Sequence, residues 1–187
     1  MTKRLAMIVG NNFEEIEMIT TVDVVRRGGI EVDIVSLYDQ DVMTGAHKIK
    51  VVPDVMFKDF NADLYDAISM PGGAGVDSGE LPLLGSKELV NLVGQFNKDK
   101  KMVGAICAAP QVLGKAGVLS GKFITHYPGC DKYLEGSKSD ISARAVVDGN
   151  IITGNGPAGA MDFGLDIVGY LAGDEKKKEV ANKLLWD

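Results

Sequence analysis

Two cysteines and two histidines in 187 residues are too few for a disulfide framework or a clustered zinc-ligand set. No apolar run approaches the roughly 18 residues a membrane helix needs, so no membrane partner is expected. Basic charge is not in excess: 20 Lys+Arg against 26 Asp+Glu leave a net charge of −6. That balance argues against nucleic acid or an anionic membrane as the main partner. The start, MTKRLAMIVG, is basic and then apolar, but Glu14 and Glu15 stand where a signal peptide would carry small residues before its cleavage site. A cytoplasmic protein is expected. No repeat, low-complexity stretch or Pro/Ser-rich linker interrupts residues 1–187, which read as one domain. What is plentiful is glycine, 23 residues or about 12% against a usual ~7%, as befits many tight turns between short elements.

Short apolar runs at Leu5–Val9, Ile30–Val35, Ala67–Met70, Met102–Ile106 and Lys122–Thr125 lack clean alternation, as strands covered on both faces do. Between them, Glu15–Arg27 places Ile16, Ile19, Val22 and Val24 on roughly one side and stops at Gly28-Gly29, and Lys87–Asn97 spaces Leu89, Leu92, Val93 and Phe96 by three and four. Pro157 opens a further helix through Leu171. Residues 144–154 predict a hairpin around Asp148-Gly149-Asn150, and the charged run 174–179 a solvated helix face. Strands alternating with helices predict a three-layer α/β sandwich with a mostly parallel sheet.

Ligands of such sheets bind beyond the carboxyl ends of the strands. Following the strands, the sequence puts the acids Glu14, Glu15 and Glu17, the loop Pro71-Gly72-Gly73-Ala74-Gly75, Cys107, and His126 on that rim. Cys107 follows MVGAI directly and precedes the helix-like AAPQVLGKAG, the strand–nucleophile–helix layout of a nucleophile elbow, with small Ala105 and Ala109 two positions either side. A helix end aimed at the sulfur would lower a thiol of pKa ~8.5 by roughly 1.5 units. The same layout also suits a small buried hydrophobe. Glu14 and Glu17, three apart, share a helix face, whereas Glu15 points away, and two of the three acids are expected to be solvated. A carboxyl helps a thiolate only if protonated and donating to it, and spacing leaves Glu14 and Glu17 equally eligible. The glycine loop offers backbone donors to an oxyanion but has neither GxGxxG spacing nor the Lys-Ser/Thr of a phosphate loop. His126 is placed to exchange a proton with the thiol. His47 reads as a hairpin surface residue and Cys130 as a bystander thiol.

The segments NFEEIEMITTVDVVRRGGIEV (12–32), SMPGGAG (69–75), GAICAAPQVL (104–113) and ITHYPG (124–129) resemble the ThiJ/PfpI superfamily, specifically its DJ-one subfamily, along nearly the whole chain. The resemblance implies a flavodoxin-like fold, a homodimer, and no metal or organic cofactor. It implies that Cys107 is the reactive, oxidation-prone cysteine and that Glu17 is the protonated glutamate bonded to it. It further implies that Gly72 and Gly73 form the loop whose backbone faces the sulfur, and that His126 is the neighbouring histidine; for the reaction, backbone donors near Gly73 and Ala108 are expected to hold an oxyanion. The implied activity is that of a glutathione-independent glyoxalase or deglycase, a lyase or hydrolase acting on small reactive aldehydes such as methylglyoxal or on glycated protein. The alternatives are a non-enzymatic oxidative-stress sensor or chaperone, with Cys107 oxidised to sulfinate, and, more remotely, a cysteine peptidase or amidase. Two departures stand out. Many relatives carry Ser-Arg-Gly-Pro where this chain has Gly154-Asn155-Gly156-Pro157, and His47-Lys48 falls where some place an arginine.

Overall fold

A computed structural model describes residues 2–79 and 82–186. In chain order the elements are β1 (Arg4–Val9), α1 (Glu15–Arg27), β2 (Glu31–Ser36), β3 (Met43–Thr44), β4 (Lys50–Val51), β5 (Val55–Met56), β6 (Ala67–Met70), α2 (Lys87–Lys98) and β7 (Met102–Ile106). There follow α3 (Pro110–Lys115), β8 (Phe123–Ile124), β9 (Lys138–Ser139), β10 (Ala145–Asp148), β11 (Ile151–Gly154), α4 (Ala160–Ala172) and α5 (Asp174–Leu184).

Seven strands form one sheet in the order β10-β11-β7-β6-β1-β2-β5. Every pairing in it is parallel except β10 with β11, the hairpin that 144–154 predicts. The alternation of side chains explains why these strands are apolar throughout. On β1, Leu5, Met7 and Val9 enter one core with Met18 and Val25 of α1 and Phe163 and Ile167 of α4. Ala6 and Ile8 enter the opposite core with Leu89, Val93 and Phe96 of α2 and Val112 of α3. Each face is thus sealed by helices, a three-layer sandwich of flavodoxin type as expected. The helix Pro157 was to open begins as a short 3₁₀ turn at Pro157–Gly159 and continues as α4.

One strand expectation is corrected. Residues 122–125 lie outside the main sheet: β8 pairs with β9 in a separate two-stranded ribbon. The place beside β7 is taken by β11, and the Thr125 N–H bonds to the Thr153 hydroxyl instead of a strand ladder. The two-residue edge strand β5 carries too short a pattern to be read from sequence.

The chain reverses direction across the sheet between β1 and β6. From β1 it passes through α1 to β2 on one side, and from β6 through α2 to β7 on the other. Segments 10–17 and 71–76 therefore leave the sheet toward opposite faces and open a crevice at the carboxyl ends of the strands. Cys107, at the end of β7 next to β6, stands beside it.

Candidate active site

Cys107 has a φ of +66°, one of six positive-φ non-glycine residues among those described. That left-handed conformation costs a side chain energy and marks the sharp turn of an elbow. It is held from both sides: the Cys107 N–H donates to the Gly154 carbonyl at 2.8 Å, and the Cys107 carbonyl accepts from Tyr127 N–H at 2.9 Å. Ala105 and Ala109 are fully buried around it, so larger side chains would not fit. The sulfur-bearing residue keeps 9% of its surface exposed.

Glu17 has no exposed surface. Its Oε2 accepts the Gly72 N–H at 2.8 Å and its carboxyl is hydrogen-bonded with Cys107, while the buried Oε1 has no hydrogen-bond partner. Gly72 permits this closeness. A Cβ there would stand 2.5 Å from Cys107 Cβ, 2.8 Å from Glu17 Oε2 and 2.9 Å from the sulfur. Gly73, at φ +97°, clamps the loop onto segment 12–14, where a Cβ would meet the Asn12 carbonyl at 2.5 Å. The backbone N–H groups of Gly73 and Ala108 donate toward the sulfur. The two loop glycines thus divide the work: Gly73 serves the thiol, whereas the Gly72 N–H serves the carboxyl and not the sulfur.

Burial pushes the Glu17 carboxyl up to about 7, helped by the negative Glu14 and opposed by the Cys107 and Gly72 hydrogen bonds. Burial and the facing Glu17 also push the Cys107 thiol up, against the downward pull of the Gly73 and Ala108 donors. From sequence, a helix end aimed at the sulfur was expected to lower the thiol. That helix is six residues long and starts three positions beyond the cysteine, so it is a weak counterweight to desolvation and a neighbouring carboxylate. The two groups titrate as a pair, and removal of the first proton leaves one negative charge shared between them.

Glu14 caps α1: its Oε2 accepts the Glu17 N–H at 2.8 Å, and its own N–H donates to the Gly72 carbonyl at 3.0 Å. Glu15 is the surprise. It was expected to be solvated, yet it is buried, accepting the His47 N–H at 2.5 Å on Oε1 and facing His47 Nδ1 at 2.9 Å on Oε2. The pair holds Glu15 below the usual carboxylate range, through bonds that outweigh its burial, and raises the exposed His47 imidazole. His47 does lie at the surface in the β3–β4 hairpin, as expected, but as the anchor of a buried acid. No periodicity signals this contact across 32 residues. Glu14, Glu15 and His47 are the group of donors among the described residues close enough to share a cation, their ligand atoms lying within 4.8 Å of one another. The His47–Glu15 bond accounts for that closeness.

His126 is buried beside the elbow with Nδ1 2.9 Å from the Tyr127 carbonyl, and its neighbour Tyr127 supplies the bond to the Cys107 carbonyl. Among the described contacts no hydrogen bond joins the imidazole to the sulfur. Cys130, half-buried, follows in the same loop, with its N–H on the Tyr127 carbonyl at 3.0 Å. Its thiol is pushed up by burial and by Asp77, Asp131 and Glu17, which places it near the site's acids.

A model of the DJ-1/PfpI family matches residues 3–169. Protein dj-1beta of Drosophila melanogaster is 37% identical over 188 residues, covering 99% of this chain and 98% of that one. A Caenorhabditis elegans protein named glutathione-independent glyoxalase DJR-1.2 is 34% identical, covering 96% of this chain and 94% of its own. A protein of Pyrococcus horikoshii named as a deglycase is 31% identical, covering 83% and 91%. The crystal structure of Drosophila DJ-1beta superposes with a TM-score of 0.91 over the whole of both chains at 35% identity.

Proposed function

The chain belongs to the DJ-1/PfpI family, and from that premise we propose that it is a glutathione-independent glyoxalase and deglycase of reactive 2-oxoaldehydes, with Cys107 as nucleophile and Glu17 as proton carrier. The observation that carries the reading is the contact of a buried carboxyl with an elbow cysteine, with backbone donors on both. A carboxyl raised to about 7 is poised to give and take a proton at neutral pH.

In the reactive form the negative charge rests on the sulfur, held by the Gly73 and Ala108 N–H groups and by the protonated Glu17. The thiolate adds to the aldehyde carbon of methylglyoxal, and the new oxyanion takes a proton to give a hemithioacetal. Glu17, now ionised, removes the proton on that carbon and delivers it to the neighbouring carbon through an enediol, leaving a thioester. Backbone donors at Gly73 and Ala108 favour the oxyanions on this path. Water hydrolyses the thioester, so methylglyoxal and water become lactate and the thiol is restored. Deglycation uses the same thiolate on a hemiaminal, with the amine as leaving group. The role of His126 is to seat Tyr127 against the elbow and, by proximity, to relay protons to solvent.

Lactate formation from methylglyoxal without glutathione, in wild type and Cys107→Ala, tests the reading. Turnover that survives the loss of Cys107, or no turnover at all, overturns it. Loss of turnover with retention of peroxide-dependent sulfinate formation would place the sensor reading ahead.

A homodimer in the cytoplasm is the proposed working state. Ile16, Ile19, Ile49 and Val52 are exposed on α1 and around the adjoining β3–β4 hairpin, an apolar surface that a second copy would cover. Sedimentation of wild type against Ile16→Lys checks it, and an unchanged mass would remove the surface from consideration.

A further inference from the structure

The left-handed Cys107 is gripped at both of its backbone groups, and the two grips come from different parts of the chain. Its N–H donates to the Gly154 carbonyl at 2.8 Å, at the end of β11, and its carbonyl accepts the Tyr127 N–H at 2.9 Å, in the loop after β8. β11 lies inside the sheet between β7 and β10, so its main-chain groups turn toward those neighbours. A segment outside the sheet needs a side chain to fasten to. That side chain is Thr153, whose Oγ1 accepts the Thr125 N–H at 2.9 Å. Among the described residues this is the hydrogen bond that joins segment 125–127 to segment 153–154.

Thr153 and Gly154 are consecutive, and Tyr127 follows Thr125 by two positions. The bonds from Cys107 to Gly154, from Thr125 to Thr153 and from Tyr127 to Cys107 therefore close a ring around the elbow. Thr125 and Thr153 are fully buried, so solvent does not compete for their bond. Ile124 packs into the core beside them, but packing is non-directional and sets no register. The Tyr127 ring is 47% exposed and adds little anchorage. The Thr125 hydroxyl donates in turn to the Ala143 carbonyl at 3.0 Å, which stiffens the segment. The Cys107 carbonyl and the Ala108 N–H belong to one planar peptide unit and point in opposite directions. Fixing that carbonyl on Tyr127 fixes the line of the Ala108 N–H, one of the two backbone donors toward the sulfur.

We propose that Thr153 is a positioning residue for the elbow: its hydroxyl, through the Thr125 N–H and the Tyr127 N–H, aims the Ala108 N–H at the sulfur and at the oxyanion formed there. The oxyanion half of this rests on the proposed Cys107 chemistry, whereas the aim at the sulfur does not. Thr153 acts through the backbone it holds, so its loss should change the reactivity of the thiol and the chemical step more than the binding of substrate.

Thr153→Val keeps the shape of the side chain and removes the acceptor, leaving the buried Thr125 N–H unpaired. In the folded variant, Cys107 alkylation by iodoacetamide, followed by mass spectrometry, should slow about threefold at pH 7 and its pH midpoint should move up. The kcat for methylglyoxal should fall about tenfold with KM changed less than twofold, as for a donor used in the transition state. Thr153→Ser keeps the acceptor and should restore both. Thr153→Ala cuts the same bond without placing a methyl against the amide, and serves if the valine variant does not fold. Ile151→Ala opens a cavity two residues earlier on the same strand without touching the ring, so it should lose stability and keep the wild-type midpoint. A wild-type midpoint in folded Thr153→Val or Thr153→Ala overturns the proposal, as does an equal shift in Ile151→Ala or no recovery in Thr153→Ser. A shifted midpoint with no methylglyoxal turnover in any of the proteins leaves the role at the sulfur standing and removes the glyoxalase reading.

Discussion

Gly72 and Cys107 are in contact across a space that only a missing side chain leaves open: a Cβ on Gly72 would lie 2.5 Å from Cys107 Cβ. The same glycine donates its N–H to Glu17, so one residue sets the separation of the thiol and the carboxyl.

Gly72→Ala should therefore spread the pair. Turnover of methylglyoxal is expected to fall by about 10²-fold, because displacements near 1 Å in a positioned pair cost that much. Overpacking should cost about 1–3 kcal/mol of stability in urea unfolding, leaving the secondary structure intact by circular dichroism. Wild-type kcat/KM in a folded Gly72→Ala protein would show that the contact is dispensable.

Glu17→Gln separates reactivity from catalysis. The amide keeps a donor for the sulfur but removes the negative charge that raises the thiol, so the pH midpoint of Cys107 alkylation should move down. The proton carrier is gone, so 2-oxoaldehyde turnover should drop by about 10²-fold or more. Undiminished turnover in Glu17→Gln would end the proposed mechanism even if Cys107 remained the nucleophile.

Stability should also record the Glu17 proton. The carboxyl rises from 4.5 to about 7 on folding, so between those values the folded state holds the proton more tightly than the unfolded chain. The stabilisation is complete below about pH 4.5 and is lost as pH rises through 7, a change of about 3 kcal/mol. Urea unfolding at pH 5 and pH 8 should show wild type losing more than Glu17→Gln by about that amount. The raised His47 contributes a loss of the same sign, but both proteins share it and it cancels in the difference.

Glu15 and His47 should be unequal partners. Glu15→Ala strips a buried acceptor from the β3–β4 hairpin and should cost about 1–3 kcal/mol. His47→Ala leaves the backbone N–H bond on Glu15 in place and removes an exposed ring, so its cost should be distinctly smaller. Equal losses in the two variants would mean that the ring, not the buried carboxylate, holds the hairpin.

Where sequence spoke clearly, a local pattern and a tertiary demand coincided. MVGAI followed by Cys107 and small Ala109 is legible because an elbow constrains consecutive residues, and Glu15–Arg27 because Val22 and Val24 face one core, although Ile16 and Ile19 of the same expected face are exposed and Met18 and Val25 are buried in their place. The pairing of Glu17 over Glu14 came from resemblance, since both sit on one helix face and only the fold shows which turns inward. Glu15 was misread for the opposite reason: a charged residue facing away from the sheet looks solvated until a hairpin from residues 43–51 closes over it. The Cys107 titration was misjudged because desolvation depends on how much protein surrounds the sulfur, which no window of neighbouring residues contains.

Glu17 and Gly72 are 55 residues apart in the chain, and Cys107 lies beyond both, on a different strand. Two long segments, 17–72 and 72–107, must therefore be closed, and β1, β6 and β7 zipped in parallel, before thiol and carboxyl meet, and such non-local pairing is slow to form. Helices can be present earlier, but the sulfur gains its mature environment only when the central strands have docked. The chemical behaviour of Cys107 during refolding thus reports when those three strands have docked, and no fragment lacking any of them can carry the proposed site.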